Sequence, residues 1–307
     1  MVEEYHGYAV FDKGSDLRPY SYIPKPLGDE DLEVEISHCG ICAICILCTL
    51  VGAQLGTPCT TGYDQLCSKK VFTYNDMWKD AGGNPIGYQT QGGYADKIRT
   101  HSNFAFHIPE AIKSVEAGPL FCAGVSTFVP LKRHNVGPGY KVGVSGIGGL
   151  GHMAIQWAAK MGAEVTAISH SIEKRNDAIK LGATHFLDTS DPKEVEKFAQ
   201  SQDIVFMTSF NPDINWSQYL GFVKNRGTLI LLGLPEVPIQ FSPFALMRFI
   251  KIEGSLIGGR QDIKDMLEFA AKHDVRPWVQ RVPMKNINEG VQIVLDGKAR
   301  YRMVLEN

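Results

Sequence analysis

Gly146-Ile147-Gly148-Gly149-Leu150-Gly151 is the stretch on which the fold turns. Tyr140-Lys141-Val142-Gly143-Val144-Ser145, just before it, has the composition of a buried strand. Leu150 to Met161, just after it, predicts a helix. A G-x-G-x-x-G run framed by a strand and a helix is a dinucleotide fingerprint, whereas the same run alone is weak evidence. Its glycines allow a sharp turn, close approach of a pyrophosphate, and tight packing of helix on strand. The helix N-terminus adds backbone N–H groups and the positive end of a dipole. An ordinary tight turn in an α/β protein is the competing reading.

The next strand, Glu164-Val165-Thr166-Ala167-Ile168, runs into Ser169-His170-Ser171. A site for NAD places an acidic residue about 20 positions beyond the fingerprint, on the ribose hydroxyls. No Asp or Glu stands at this strand end. Ser169 and Ser171 do, followed by Lys174 and Arg175. Hydroxyls and cations suit a 2′-phosphate that a carboxylate would repel. The expected cofactor is therefore NADP(H), although Lys174 and Arg175 also fit a solvated helix face.

Strand and helix alternate beyond the fingerprint. The strands expected are 141–145, 164–168, 185–187, 204–207, 228–232 and 251–256, with helices at 173–181 and 192–199 between them. That alternation predicts an α/β doubly wound parallel sheet. The first hundred residues instead suggest short strands at Tyr8–Phe11, Leu32–Ile36 and Gly93–Ile98. A helix near Gly124 leads through Pro130 toward the fingerprint strand. A further helix near Ile287–Leu295 and a strand at Tyr301–Leu305 return to the β half.

With 307 residues the chain is long enough for two domains. Its 44% hydrophobic and 21% charged content are those of a globular protein, and a net charge of −2 gives no sign of a nucleic-acid or membrane partner. The beginning Met1-Val2-Glu3-Glu4 has no secretory character, and seven cysteines without one predict a reducing, cytoplasmic setting. From Cys39 to Tyr63 there is no charged residue, and five cysteines lie in that stretch. Gly, Thr, Gln and Pro interrupt it, so strands run together explain it better than a membrane span.

Taken together, these motifs resemble the zinc-dependent medium-chain alcohol dehydrogenases, and within them the cinnamyl alcohol dehydrogenase branch. The resemblance rests on His38-Cys39-Gly40-Ile41-Cys42, Gln91-Gly92-Gly93-Tyr94-Ala95, Cys122-Ala123-Gly124 and the fingerprint. It continues through Ser169 to Arg175, Leu181-Gly182-Ala183, Gly254 to Gly258 and Arg300-Tyr301-Arg302. It implies a Rossmann domain at 125–276 inserted in a GroES-like β domain made of 1–124 and 277–307. It also implies NADP(H)-dependent interconversion of a small alcohol and aldehyde. By position, Gly146, Gly148, Gly149, Leu150 and Gly151 would hold the pyrophosphate. Ser169, Ser171, Lys174 and Arg175 would surround the 2′-phosphate. Thr208, Gly233, Ser255, Leu256 and Ile257 would line the adenosine and nicotinamide halves, and Ser126 would stand beside the nicotinamide. Relatives are commonly dimers, so a homodimer is possible.

The chain departs from the family at its metals. Zinc polarises the reacting oxygen in these enzymes. Cys42 and Cys122 match two ligands of the catalytic zinc, but none of the nine histidines is followed by the glutamate of the expected His-Glu pair. Ile44 replaces the hydroxyl that relays the alcohol proton. After Cys42 the chain jumps to Val51-Gly52-Ala53-Gln54, which resembles a strand much further along in relatives. The reading is an internal deletion that takes ligands, part of the pocket and several strands. Of the structural zinc's four cysteines only Cys59 and Cys67 remain, with Ala53 and Gly56 at the other two places. Cys39, Cys42, Cys45 and Cys48 form a C-x2-C-x2-C-x2-C run that suits zinc or an iron–sulfur cluster. Cys45, Cys48, Cys59 and Cys67 suit a four-thiolate zinc, and buried thiols without metal fit as well. Three functions follow: a dehydrogenase with an impaired zinc site, a zinc-free reductase of enones or quinones, and a cofactor-binding or altered-transcript product without catalysis.

Overall fold

The computed structural model describes residues 3–12, 14–41, 48–49, 61–80, 82–209, 214–233 and 237–307. The chain divides into two compact units. One comprises Ala123–Leu256 and His273–Pro277, and the other Met1–Cys122, Ile257–Lys272 and Trp278–Asn307.

The first unit is built on six strands: β1 (Lys141–Ser145), β2 (Glu164–Ser169), β3 (His185–Asp188), β4 (Gln202–Met207), β5 (Val223–Leu231) and β6 (Lys251–Gly254). They lie in the order β3-β2-β1-β4-β5-β6, and every neighbouring pair is parallel. This is the doubly wound dinucleotide-binding order. The chain winds outward from β1 to β3 and then returns to the other side of β1. The carboxyl ends of β1 and β4 therefore part at a switch point, where such sheets bind ligands. Val142, Val144, Val205 and Phe206 have no exposed surface. A parallel sheet covered on both faces needs continuous apolar runs rather than alternation, and these strands have them.

Two helices cover one side of the fingerprint strand. Gly151–Lys160 buries Met153, Ala154, Ile155, Trp157 and Ala158. Val125–Arg133 packs beside it, with the rings of Phe128 and Trp157 meeting edge-on at 5.4 Å. The buried Trp157 indole donates to Thr127 Oγ1 at 3.1 Å, and Thr127 Oγ1 donates to the Ala123 carbonyl at 2.6 Å. The indole N–H is thereby satisfied inside an otherwise apolar contact. Across the sheet, Ile168, Leu187, Met207, Leu220, Phe222 and Leu229 form a second core.

The other unit is made of short antiparallel pairs and one three-stranded sheet. Tyr5–Ala9 pairs with Arg18–Tyr22, Asp31–Glu35 with Lys97–His101, and Tyr74–Lys79 with Pro85–Gln91. Val279–Pro283, Arg302–Glu306 and His38–Ile41 form the three-stranded sheet. Ile41, Val282, Met284, Ile287, Met303 and Leu305 are its core. The chain's last strand therefore pairs with one near its beginning, as the expected return to the β half requires.

Three elements differ from the sequence reading. The strand expected at Gly93–Ile98 begins only at Lys97. Gly92 has φ +78°, and a Cβ on Gly93 would stand 2.8 Å from Cys39 Sγ, so these glycines form a turn packed on the neighbouring strand. The strand at Tyr8–Phe11 is shifted to Tyr5–Ala9, leaving Val10 and Phe11 exposed. The helix Arg260–His273 was missed.

Candidate cofactor site and metal positions

The glycine loop leaves the carboxyl end of β1 and enters the helix Gly151–Lys160. Gly146 has φ +88°, and a Cβ there would lie 2.2 Å from Ser209 Oγ. A Cβ on Gly151 would lie 1.8 Å from the Gly146 carbonyl oxygen. Both positions are closed to a side chain by the protein itself. Gly148 is not: a Cβ there meets nothing within 4 Å. Its open side is a cradle that a methyl group would begin to fill.

Four successive carbonyls of this loop are tied back. Thr208 Oγ1 is 2.7 Å from the Ser145 carbonyl and 2.9 Å from that of Gly146. Lys174 Nζ donates to the Ile147 carbonyl at 2.8 Å. His152 Nδ1 lies 2.9 Å from the Gly148 carbonyl, which can only accept, so the ring proton is on Nδ1 in this contact. No side chain caps the helix at Leu150. The loop's acceptors are thus engaged and its helix end carries positive dipole, the combination that suits a pyrophosphate.

The same Lys174 bond joins the two predicted halves of the site, the fingerprint and the turn after β2. Ser169 is buried, and its Oγ accepts from Ser171 N at 3.1 Å. Arg175 lies with its guanidinium 5.4 Å from the centre of the Phe186 ring. Asp188, the last residue of β3, is the register partner of Ser169. Ser190 donates to Asp188 Oδ1 from its hydroxyl at 2.6 Å and from its backbone N–H at 2.9 Å. These bonds, with the nearby charges of His170 and Arg175, hold the Asp188 carboxyl below its ordinary range.

Thr208, Gly233 and Ser255 sit where β4, β5 and β6 end. Gly233 N donates to the Met207 carbonyl at 3.2 Å, and Ser255 N to that of Leu231 at 3.1 Å. Leu256 is exposed, and Ile257 has φ +51° at the start of a segment of the other unit. Ser126 is buried in the helix Val125–Arg133. Sequence reasoning missed His152, Asp188 and Ser209. His152 follows the motif directly, whereas Ser209 reaches Gly146, and Asp188 reaches Ser169, only through the fold.

The metal positions are less complete. Cys122 is half-buried in a π-helical turn, Leu120–Gly124, a geometry often found at functional sites. It lines a cavity of about 470 Å³ with Cys39, Trp78, Phe104, Phe106 and Phe121. Cys67 is buried after the turn Asp64–Leu66, where Arg260 holds Asp64 through its backbone N–H at 2.9 Å and Nε at 3.0 Å. Cys42, Ile44, Cys45 and Cys59 lie outside the described residues, and Cys48 is described by its backbone alone. Among the described residues no group of three or more His, Cys, Asp or Glu is placed to hold a metal ion. The residues around Gly148 fit a dinucleotide; the described donors do not fit a zinc ion.

Known proteins place this geometry. Residues 149–272 match the family described as zinc-binding dehydrogenase. A probable formaldehyde dehydrogenase of Bacillus subtilis is 41% identical over 251 residues, which is 81% of this chain and 70% of that relative. A probable cinnamyl alcohol dehydrogenase of Oryza sativa is 31% identical over 345 aligned positions, covering 98% of this chain and 92% of its own length. The crystal structure of the cinnamyl alcohol dehydrogenase from Helicobacter pylori complexed with NADP(H) superposes with a TM-score of 0.89 at 27% identity, covering all of this chain and 99% of the other. With its Rossmann sheet, its GroES-like β unit and this match, the chain belongs to the zinc-binding alcohol dehydrogenase family, on its cinnamyl alcohol dehydrogenase branch.

Proposed function

We propose that the chain is an NADP(H)-dependent oxidoreductase interconverting a small primary alcohol and its aldehyde, with an impaired catalytic zinc site. The observation that carries the cofactor is the loop itself: closed at Gly146 and Gly151, open at Gly148, and linked by Lys174 to a turn of hydroxyls and cations. Bound NADPH supplies the hydride. The residues of 125–276 would hold and orient it, and those of 1–124 and 277–307 would form the substrate side. Ser169, Ser171, Lys174 and Arg175 select the 2′-phosphate by charge and hydrogen bonding. Ser126 supplies a hydroxyl to the nicotinamide side. The names of the two relatives, a probable formaldehyde dehydrogenase and a probable cinnamyl alcohol dehydrogenase, support an alcohol–aldehyde substrate pair.

A catalytic zinc needs three protein ligands and an open position. Cys42 and Cys122 supply two, and no His-Glu pair follows. The 345 positions aligned with the rice relative exceed the 307 residues of this chain, which supports a shortened stretch.

Two measurements on purified protein test the reading. Metal analysis should find less than one tightly bound zinc per chain, and NADPH oxidation with a cinnamaldehyde-type substrate should be far below family rates. One tight zinc with full turnover overturns the impairment. Chelator-insensitive reduction of an enone or quinone instead points to a zinc-free reductase, and NADPH binding without any hydride transfer points to a non-catalytic binder.

We also propose a homodimer through the end of the Rossmann sheet. Among the described residues β6 pairs only with β5, and Phe244, Met247 and Phe249 beside it are 83%, 69% and 80% exposed. Unpaired strand edges beside apolar side chains invite a second copy. Sedimentation should give a dimer that F249E weakens; a monomer at all concentrations removes this reading.

A further inference from the structure

His152 follows Gly151 in the helix Gly151–Lys160, and it has no exposed surface. Its backbone and its ring reach one acceptor. The backbone N–H donates to the Gly148 carbonyl at 3.0 Å, as an α-helix requires of residues four apart, and ring Nδ1 donates to the same oxygen at 2.9 Å. Thr208 and Lys174 hold the Ser145, Gly146 and Ile147 carbonyls, and His152 holds the next one. The peptide it holds joins Gly148 to Gly149. Neither residue carries a Cβ, so this is the peptide of the loop with the most rotational freedom. Its two orientations differ in what they offer an anion. In a trans peptide the carbonyl and the following N–H point in opposite directions. With the Gly148 carbonyl drawn into the helix, the Gly149 N–H points out of the helix end, where first-turn N–H groups have no intrahelical acceptor. The reversed peptide would put a carbonyl oxygen there, and that oxygen would repel a phosphate.

We infer that His152 is a positioning residue for the pyrophosphate of the cofactor: its ring N–H keeps the Gly148–Gly149 peptide turned with the N–H outward, toward the phosphates. The inference rests on the reading of this loop as the NADP(H) site. The imidazole acts through the backbone it holds, and what the position needs is a donor rather than a charge. One turn further along, Gln156 makes the equivalent bond, its Nε2 donating to the His152 carbonyl at 3.1 Å. A glutamine at 152 can therefore stand in for the imidazole, whereas a leucine fills the space without a donor.

The test is direct binding, without turnover. Dissociation constants for NADPH and for adenosine 2′-monophosphate are measured by isothermal titration with the full chain, H152L and H152Q. The smaller ligand keeps the 2′-phosphate and lacks the pyrophosphate. Melting curves establish that each variant is folded. Loss of one hydrogen bond corresponds to about a three- to tenfold change in an equilibrium constant. H152L should weaken NADPH by that factor and leave adenosine 2′-monophosphate unchanged, and H152Q should restore NADPH binding. Full NADPH binding by H152L, equal losses for both ligands, or H152Q no better than H152L overturns the role of His152. Because the residue is buried, a second measurement uses the unaltered chain. Nitrogen NMR spectra of labelled histidine should show the His152 proton on Nδ1, with its solvent exchange slowed by NADPH but not by adenosine 2′-monophosphate. A proton on Nε2 alone, or equal slowing by both ligands, overturns the role even where H152L does not fold. Each of these outcomes leaves the NADP(H) reading standing; an unaltered chain that binds neither ligand removes both.

Discussion

Gly148 and Gly151 are three residues apart, yet a methyl group on each has a different meaning. At Gly151 it would collide with the Gly146 carbonyl at 1.8 Å. G151A should lower stability by about 3 kcal/mol, since a backbone oxygen cannot move aside as a side-chain tip can. At Gly148 the methyl finds open space. G148A should melt with the unaltered protein while NADPH binding falls at least tenfold, read by fluorescence titration. Equal affinity in G148A would mean that the cradle is not where the phosphates lie. The sequence shows both as glycines of one motif. Which of them serves packing and which serves a ligand depends on atoms supplied by other strands.

The strand–loop–helix element owes its shape to side chains from elsewhere. Thr208, at the end of β4, holds the Ser145 and Gly146 carbonyls, and T208V keeps the volume while removing the donor. Its expected cost is about 1 kcal/mol in thermal or chemical unfolding, with weaker cofactor binding because the loop loses a tether. K174M removes both the tether to Ile147 and a cation from the 2′-phosphate corner. NADPH should weaken by tenfold or more in K174M while NADH changes less; an equal loss for both would restrict Lys174 to holding the loop. The alternation of strand and helix was legible in the sequence because fully buried parallel strands leave continuous apolar runs. The β unit was less legible. Its strands are short and half-exposed, and glycines such as Gly92 turn the chain where composition suggests extension. The amphipathic helix Arg260–His273 escaped notice because its apolar positions, Ile263, Met266, Leu267 and Ala270, are spread among charges.

For the molecule as a whole, pH acts on an ion-pair cluster at one end of the Rossmann sheet. At the amino ends of β1, β2 and β3, Glu164 bonds Lys141 at 3.1 Å and His185 at 2.9 Å. Lys141 first, and His185 after it, hold the Glu164 carboxyl below its ordinary range. A lowered carboxylate stabilises the fold above its unfolded pKa of about 4.3 and loses that contribution as pH falls through its folded value. Because these side chains face solvent, the contribution is at most about 1 kcal/mol and is screened by salt. E164Q should lower the melting temperature slightly at pH 7 and converge with the unaltered protein near pH 3; a constant difference across that range would show that the ion pairs contribute nothing.

The amino-acid order alone carried the cofactor half, because a dinucleotide fingerprint is local: a strand, three spaced glycines and a helix lie within about twenty residues. It also carried the family, and the want of a His-Glu pair, since both are questions of which residues stand where. Tertiary structure decided what no local pattern encodes. It brought Thr208 from the end of β4 and Lys174 from the turn after β2 onto successive carbonyls of one loop. It also set Asp188 opposite Ser169 across two strands. Hydrogen bonds and charges act over a few ångströms of space, whereas these residues are separated by up to 63 positions of chain, and only the closing of the sheet makes them neighbours.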